Sequence, residues 1–174
     1  MKLLFENWRG YLNEIGDASV PPYDFEGPEE MTEWDVVYEF YASDEFGEIM
    51  YTVQFERHPR REFKPGEKDD WRWDIGFQIG GGKPGDLTEQ GQPLKIMSTV
   101  VAIIKDFIDR PEFNDGTRGF RFKGVPKKGE SSRKTTQRTK LYLRFLEKHL
   151  PDDWEFNVNG KNEIFFGPKN EETE

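Results

Sequence analysis

The sequence contains no cysteine, only two histidines and no long apolar run. The absence of cysteine excludes disulfides, thiolate metal sites and cysteine nucleophiles. His58 and His149 are far apart along the chain, which argues against a histidine-based metal site. No segment approaches the roughly 20 consecutive apolar residues that a membrane-spanning helix needs, so we expect no membrane partner.

The chain is poor in hydrophobic residues but rich in aromatic ones. Hydrophobic residues make up 34% of it, which is low for a globular protein, and aromatic residues make up 15%. Disordered chains lack aromatic residues, so this composition argues against wholesale disorder. Each large ring buries much apolar area, so a small number of rings can build a core. The length of 174 residues indicates one domain.

Charge is distributed unevenly along the chain, which carries 34 acidic and 25 basic side chains and a net charge of -9. Residues 1–49 hold 13 acidic and 2 basic side chains, whereas residues 118–148 hold 11 basic and 2 acidic ones. Because steering depends on local potential, the net acidity does not exclude a polyanionic partner. The alternative is that the acidic front half packs close to the basic back half.

Residues 1–16 predict an amphipathic helix. Apolar side chains recur there at helical spacing, while Glu6, Arg9 and Asn13 lie off the apolar stripe. The predicted partner-docking residues are Leu4, Phe5, Trp8, Tyr11, Leu12 and Ile15. Residues 17–30 are rich in proline, glycine and acid without periodicity, which predicts a linker. The helix either docks on a partner or folds back over its own sheet.

From residue 31 onward the apolar period shortens to two, which predicts strands. Three successive strands are predicted, and we expect them to form an antiparallel meander. Their ranges are 34–41, 48–57 and 71–79. Later strands are predicted at 119–125, 154–158 and 163–167, the last two joined by a hairpin turn at Asn159-Gly160.

Two helices are predicted between these strands, a strongly apolar one at 93–108 and an amphipathic one at 131–150. The order βββαβαββ predicts an α+β fold: a mixed, mostly antiparallel sheet of five to six strands with two helices packed on one face, plus the N-terminal helix. The expected organisation is a leader at 1–16, a linker at 17–30, one domain at 31–168 and a polar tail at 169–174.

No catalytic residue, metal site or cofactor is predicted. The glycine-rich loop at 79–86 matches neither the Walker pattern nor the dinucleotide fingerprint, and we interpret it as a strand-to-helix connection. Asp69, Asp70 and Asp74 are interpreted as a solvated strand face, since no further ligand is indicated elsewhere. The histidines have no nucleophile motif nearby, and both are expected at the surface. At the end of its helix, His149 is expected to favour protonation through the helix dipole.

The strongest candidate for a binding site is basic. The second helix carries a polar row with steps of four, three, four and four residues, which places four cations on one face opposite the apolar stripe. The row consists of Arg133, Gln137, Lys140, Arg144 and Lys148. Such a stripe can neutralise the phosphates of a nucleic acid. The candidate nucleic-acid-binding residues are Arg121, Lys123, Lys127, Lys128, Arg133, Lys134, Arg138, Lys140, Arg144 and Lys148. No base-stacking platform is evident nearby, so we expect weak sequence preference. The alternatives are a solvated helix face and a dock for the acidic N-terminal segment.

The first 14 residues, MKLLFENWRGYLNE, resemble a leader found on assorted proteins of T-even-type tailed phages, notably marine ones. They are also similar to capsid-targeting propeptides of internal head proteins in that group, which the prohead protease cuts after a Leu-x-Glu or Ile-x-Glu site. Leu12-Asn13-Glu14 fits that site, so the resemblance implies cleavage after Glu14. Ile15 would follow the cut, where the family usually has a small residue. The stretches 87–108 and 131–150 look like uncharacterised phage proteins of similar layout.

Charge pattern and resemblance together predict a non-enzymatic phage accessory or internal-head-type protein. The expected partners are a phage capsid or scaffold protein, bound by the N-terminal helix, and DNA or RNA, contacted by the basic helix. Its expected location is the cytoplasm of an infected bacterial host or the virion interior. Two alternatives stay open: an enzyme or host-takeover factor acting on a nucleotide or nucleic acid, with its site near 80–85, and a purely structural interaction module.

Overall fold

Seven strands form one sheet in the part of the chain that the structure describes. The computed structural model describes residues 20–44, 47–58, 72–79, 93–113, 119–123, 137–159 and 162–169. The strands are β1 (Glu30–Met31), β2 (Asp35–Asp44), β3 (Gly47–His58), β4 (Arg72–Ile79), β5 (Gly119–Lys123), β6 (Trp154–Val158) and β7 (Glu163–Pro168). Their order across the sheet is β1-β2-β3-β4-β5-β7-β6.

The sheet is mixed and mostly antiparallel. β2, β3 and β4 pair antiparallel in succession, which confirms the predicted three-stranded meander, and β1 adds to β2 in the same way. β4 and β5 run parallel, and β6 runs in the same direction as β5 because β7 lies between them, antiparallel to both. Parallel strands need long crossovers, and each crossover here contains a helix: α1 (Pro93–Asp109) or α2 (Gln137–His149). The predicted α+β class is therefore confirmed.

One face of the sheet carries the core, and both helices pack on it. On β2, Val36, Tyr38 and Phe40 are buried, whereas Tyr41 is 49% exposed. Alternate residues of a strand project from opposite faces, so an apolar period of two buries one whole face. The same alternation buries Tyr51, Val53 and Phe55 on β3 and Trp73 and Ile75 on β4.

Aromatic rings join the helices to the sheet. Phe107 of α1 stacks on Phe55 with ring centroids 3.9 Å apart, and Trp73 meets Phe107 edge-on at 5.1 Å. Tyr142 of α2 meets Phe122 of β5 edge-on at 4.7 Å. Aromatic pairs in these geometries contribute roughly 0.5–1.5 kcal/mol beyond the area that they bury. The helices therefore lie side by side, α1 over the first strands and α2 over β5.

A hydrogen-bonded chain fixes α1 against β2. The hydroxyl of Tyr38 donates to the carboxylate of Asp106 at 2.8 Å, and Nε of Arg110 donates to the same oxygen at 2.8 Å. Burial raises the pKa of Tyr38, and the hydrogen bond to Asp106 raises it further. The hydrogen bond to Asp106 likewise raises the pKa of Arg110. Both donors therefore stay protonated, and the rotation of α1 over the sheet is set.

Residues 20–29, whose composition predicts a linker, lie along the outer edge of β2 as part of the folded body. The N–H of Glu29 donates to the carbonyl of Val37 at 2.9 Å, and the N–H of Tyr23 donates to Thr99 Oγ1 on α1 at 2.8 Å. Proline is tolerated at such an edge, where an outward N–H has no strand partner to lose. The unpredicted two-residue strand β1 continues this segment, which explains the seventh strand.

The β6–β7 hairpin lies where the sequence predicts it, with strand bounds that match the predicted 154–158 and 163–167 to within one residue. The N–H of Asn159 donates to the carbonyl of Glu163 at 3.1 Å, so three residues separate the paired positions. Asn162 has a φ of 61°, a left-handed conformation that asparagine tolerates. It is fully buried and accepts a hydrogen bond from Thr139 Oγ1 at 3.1 Å. This contact ties the hairpin to the first turn of α2.

Candidate nucleic-acid interface

Helix α2 presents cations on the side opposite its core contacts. Lys140, Arg144 and Lys148 are exposed. The buried side of the helix carries Leu141, Tyr142, Phe145 and Leu146. An α-helix rises about 1.5 Å per residue, so successive cations are about 6 Å apart along the axis. The structure therefore brings these three predicted residues together in one row.

Helix α1 contributes a fourth cation, which the pattern of α2 alone does not reveal. Lys105 is exposed, and its charge, like that of Lys148, acts on the imidazole of His149 at the end of α2. Since α1 and α2 are in contact on the same side of the sheet, Lys105 extends the row of cations sideways. We call Lys105, Lys140, Arg144 and Lys148 the basic face. The only sequence signal for Lys105 is that it interrupts the apolar pattern of α1.

No carboxylate among the described residues neutralises the cations of the basic face. None of its four cations forms an ion pair with another residue in the part of the chain that the structure describes. By contrast, Arg72, Arg110 and Arg121 all contact carboxylates. Glu147, the single acid of α2, is exposed and has no ion-pair partner within the same ranges. The three α2 cations of the basic face therefore outnumber the one acid of this helix.

His149 ends α2 beside the basic face. Burial lowers the pKa of His149, and the charges of Lys105 and Lys148 lower it further. Its Nε2 is buried and makes no hydrogen bond to any described residue. The sequence predicts the opposite direction, because a helix C-terminus favours an imidazolium. Desolvation and two neighbouring cations outweigh the helix dipole, so the imidazole stays neutral and adds no charge to the basic face.

Arg121, a predicted nucleic-acid-binding residue, lies on the face of the sheet away from the helices, which we call the outer face. Its strand neighbours Phe120 and Phe122 are buried on the helix side. Arg121 binds the carboxylate of Asp74 through Nε at 2.9 Å and through Nη2, and its Nη1 lies 3.6 Å from Glu163 Oε1. The hydrogen bond to Asp74 raises the pKa of Arg121. The structure does not bring Arg121 together with the basic face.

Asp74 serves as a carboxylate acceptor for two arginines. Besides Arg121, Nε of Arg72 donates to its Oδ1 at 3.0 Å. These charge-assisted bonds occupy the oxygens that a metal ion would need. Among the residues described, no group of three histidine, aspartate or glutamate side chains is arranged to hold a metal ion.

Acidic side chains of the front half lie at the other end of the sheet from α2, which carries three of the four cations of the basic face. They follow the edge formed by β1 and β2, whereas α2 packs over β5 and its hairpin neighbour β7. With strands about 4.8 Å apart, the four steps from β2 to β7 span roughly 19 Å. These acids are exposed and form no ion pair within the described ranges: Asp24, Glu26, Glu29, Glu30 and Glu33. They do not neutralise the basic face.

Other predicted residues lie outside the described part of the chain. From the leader these are Leu4, Phe5, Trp8, Tyr11, Leu12, Glu14 and Ile15, and from the basic segment Lys127, Lys128, Arg133 and Lys134. Asp69, Asp70 and residues 80–86 of the glycine-rich loop also lie outside it. Lys123 ends β5 and Arg138 lies in the first turn of α2, but the description does not extend to their side chains.

Comparisons with known proteins add no relative. No family model, curated protein or solved structure matches this chain. Neither helix in the described ranges is long and apolar enough to cross a bilayer.

Proposed function

We propose that this protein is a non-enzymatic phage accessory protein that contacts nucleic acid through the basic face. The observation that carries the proposal is the exposure of four cations, on two adjacent helices, that have no acid partner among the described residues. A cation already paired with a carboxylate must give up that contact before it binds a phosphate. The cations of the basic face have no such contact to lose, so their charge is free to replace condensed counterions.

The spacing of the basic face suits a polyanionic backbone. Lys140, Arg144 and Lys148 span about 12 Å of helix axis, a length over which duplex DNA carries about seven phosphates. Lys105 lies beside this row on α1, so the four cations cover a patch rather than a line. Contacts of this kind position a protein on DNA or RNA without reading its sequence. We therefore expect salt-dependent binding with little sequence preference.

Charge reversal of the row tests this proposal. We expect the variant with Lys140→Glu, Arg144→Glu and Lys148→Glu to bind a labelled mixed-sequence duplex DNA at least ~100-fold more weakly than the parent at 0.1 M salt, because three phosphate contacts are lost. Fluorescence anisotropy measures both affinities, and circular dichroism checks that α2 is retained. Equal affinity of the two proteins would contradict the proposal.

A matched pair of single variants shows whether DNA affinity depends on where a charge is changed or only on the net charge of the protein. Arg144→Gln and Ser43→Glu each lower the net charge by one, but Ser43 is exposed on β2, at the far end of the sheet. We expect Arg144→Gln to weaken DNA binding several-fold and Ser43→Glu to change it by less than twofold. Equal losses would show that DNA affinity follows net charge, and would contradict a defined interface at the basic face.

We also propose that the leader docks on a phage capsid or scaffold protein and is removed after Glu14. The support is the resemblance of residues 1–14 and the fit of Leu12-Asn13-Glu14 to the protease site. Coexpression with a T-even-type prohead protease, followed by intact-mass measurement, should show loss of residues 1–14. The control variant Glu14→Gln should stay intact. A parent chain that stays uncut while a genuine internal head protein is processed in the same cells would contradict this proposal.

A further inference from the structure

Strand β6 ends the sheet, and only one of its edges is paired in the described part of the chain. The N–H of Asn159 donates to the carbonyl of Glu163 on the β7 side. Hydrogen-bonded positions alternate along an antiparallel pair, so the odd-numbered residues of β6 direct their backbone groups toward β7. The backbone groups of Trp154, Phe156 and Val158 are therefore directed away from the sheet.

Most of these outward groups are donors and acceptors without a partner among the described residues. The N–H of Trp154 donates to the carbonyl of Pro151 at 3.1 Å. The N–H groups of Phe156 and Val158, and the carbonyls of all three outward residues, make no hydrogen bond within the described ranges. The side chains of the three residues are half-buried, so additional apolar area remains to be covered there.

The two ends of the sheet differ in how they are protected. Natural edge strands avoid pairing by being very short or by carrying proline, lysine or bulges. β1 has two residues, and the segment that precedes it along the edge of β2 contains three prolines, at positions 21, 22 and 28. β6 has five regular residues with no proline and no lysine, and Glu155 is its only charge. Only the β6 end is therefore open to strand addition among the described edges.

We propose that β6 pairs antiparallel with β6 of a second copy of this chain, about a two-fold axis at Phe156. In this register the two Phe156 residues exchange N–H to carbonyl bonds, and the N–H of Val158 donates to the carbonyl of Trp154 in the other copy. On the outer face, Glu155 meets Asn157, so no like charges face each other. On the helix side Trp154 meets Val158. The strand is thus self-complementary in charge and in apolarity, which favours a second copy over an unrelated extended peptide.

The two-fold axis is perpendicular to the sheet, so both helix layers lie on the same side of one continuous sheet. The basic faces of the two copies then share one surface, which increases the number of phosphates within reach of a single complex. This consequence rests on the proposed function, whereas the dimer itself does not. Failure of DNA binding would leave the dimer intact, and failure of dimerisation would leave the single basic face intact.

A charge swap at two exposed positions tests the register. Asn157→Glu places glutamates opposite each other twice across the axis, and we expect a roughly tenfold higher dimer dissociation constant. Adding Glu155→Lys to Asn157→Glu creates two opposite-charge pairs and should restore the dimer. Met31→Glu adds the same charge at the opposite edge of the sheet and should change nothing. Sedimentation equilibrium over a concentration series into the millimolar range measures all four proteins.

Amide hydrogen exchange locates the contact. The amides of Phe156 and Val158 should exchange more slowly as protein concentration rises, whereas those of Glu155 and Asn157, already bonded to β7, should not respond. A parent protein that stays monomeric over the whole series would overturn the proposal. So would a dimer in which the Phe156 and Val158 amides exchange at the monomer rate, or one that Asn157→Glu does not weaken.

Discussion

Replacing Arg121 with glutamine removes a guanidinium that two carboxylates of the outer face share. Asp74 would keep Arg72, 3.0 Å away, and Glu163 would keep the amide of Asn159 at 2.6 Å. Breaking a fully buried ion pair costs about 3–5 kcal/mol. The side chains of Arg121 and Asp74 are 25% and 23% exposed, so water screens part of this charge. We therefore expect Arg121→Gln to lower the free energy of unfolding by about 2 kcal/mol.

The companion variant Arg144→Gln should behave in the opposite way. Arg144 is exposed and has no ion-pair partner in the described part of the chain, so its replacement should change stability by less than about 0.5 kcal/mol. Urea denaturation measures stability, and anisotropy with duplex DNA measures binding. We expect Arg121→Gln to lose stability and keep DNA affinity, and Arg144→Gln to keep stability and lose affinity several-fold. If Arg121→Gln weakened DNA binding as much as Arg144→Gln at unchanged stability, our separation of the two faces would be refuted.

Three further predictions follow from single contacts. Asp106→Ala leaves the buried hydroxyl of Tyr38 without its acceptor and should lower the free energy of unfolding in urea by ~1–3 kcal/mol, more than Tyr38→Phe does. The double variant should lose less stability than the sum of the two single losses. An NMR titration should place the pKa of His149 below the ordinary value of about 6.5, and Lys148→Gln should raise it; a pKa at or above 6.5 in the parent would contradict this. Because the unfolded chain then binds the proton at higher pH than the folded protein does, the free energy of unfolding should fall as the pH drops below about 6.5. Glu147→Gln removes the only acid of α2 and should tighten DNA binding ~2–5-fold in anisotropy, whereas an unchanged affinity would place Glu147 outside the contact.

Most of the fold follows from local patterns in the sequence. The period-two alternation along residues 51–55 and the apolar face of 93–108 each require one buried side, and the structure buries both. The edge segment 20–29 could not be predicted in this way. Its position depends on contacts with residues far along the chain, such as Tyr23 with Thr99, which leave no periodic signal in the segment itself. The hydrogen bond between Thr139 and Asn162 is likewise a contact between distant parts of the chain, and no local pattern signals it.

The candidate site shows the same limit. Spacings of four residues were enough to place Lys140, Arg144 and Lys148 on one helix face, because that relation is local. Whether a cation stays free depends on which strands become neighbours, and the parallel pairing of β4 with β5 sets Arg121 directly against Asp74. Lys105 joins the basic face only because α1 packs beside α2, and the sequence pattern of neither helix reveals that contact.

The slope of DNA affinity against salt concentration tests the central claim most directly. Each phosphate contact with duplex DNA contributes about -0.9 to the slope of log K against log salt, so full engagement of the four cations of the basic face predicts a slope of about -3.6 for the parent protein. Replacing Lys140, Arg144 and Lys148 with glutamine leaves Lys105 alone in the basic face and should reduce the slope to about -0.9. A parent slope near zero, or an unchanged slope in the variant, would contradict nucleic-acid binding through this face.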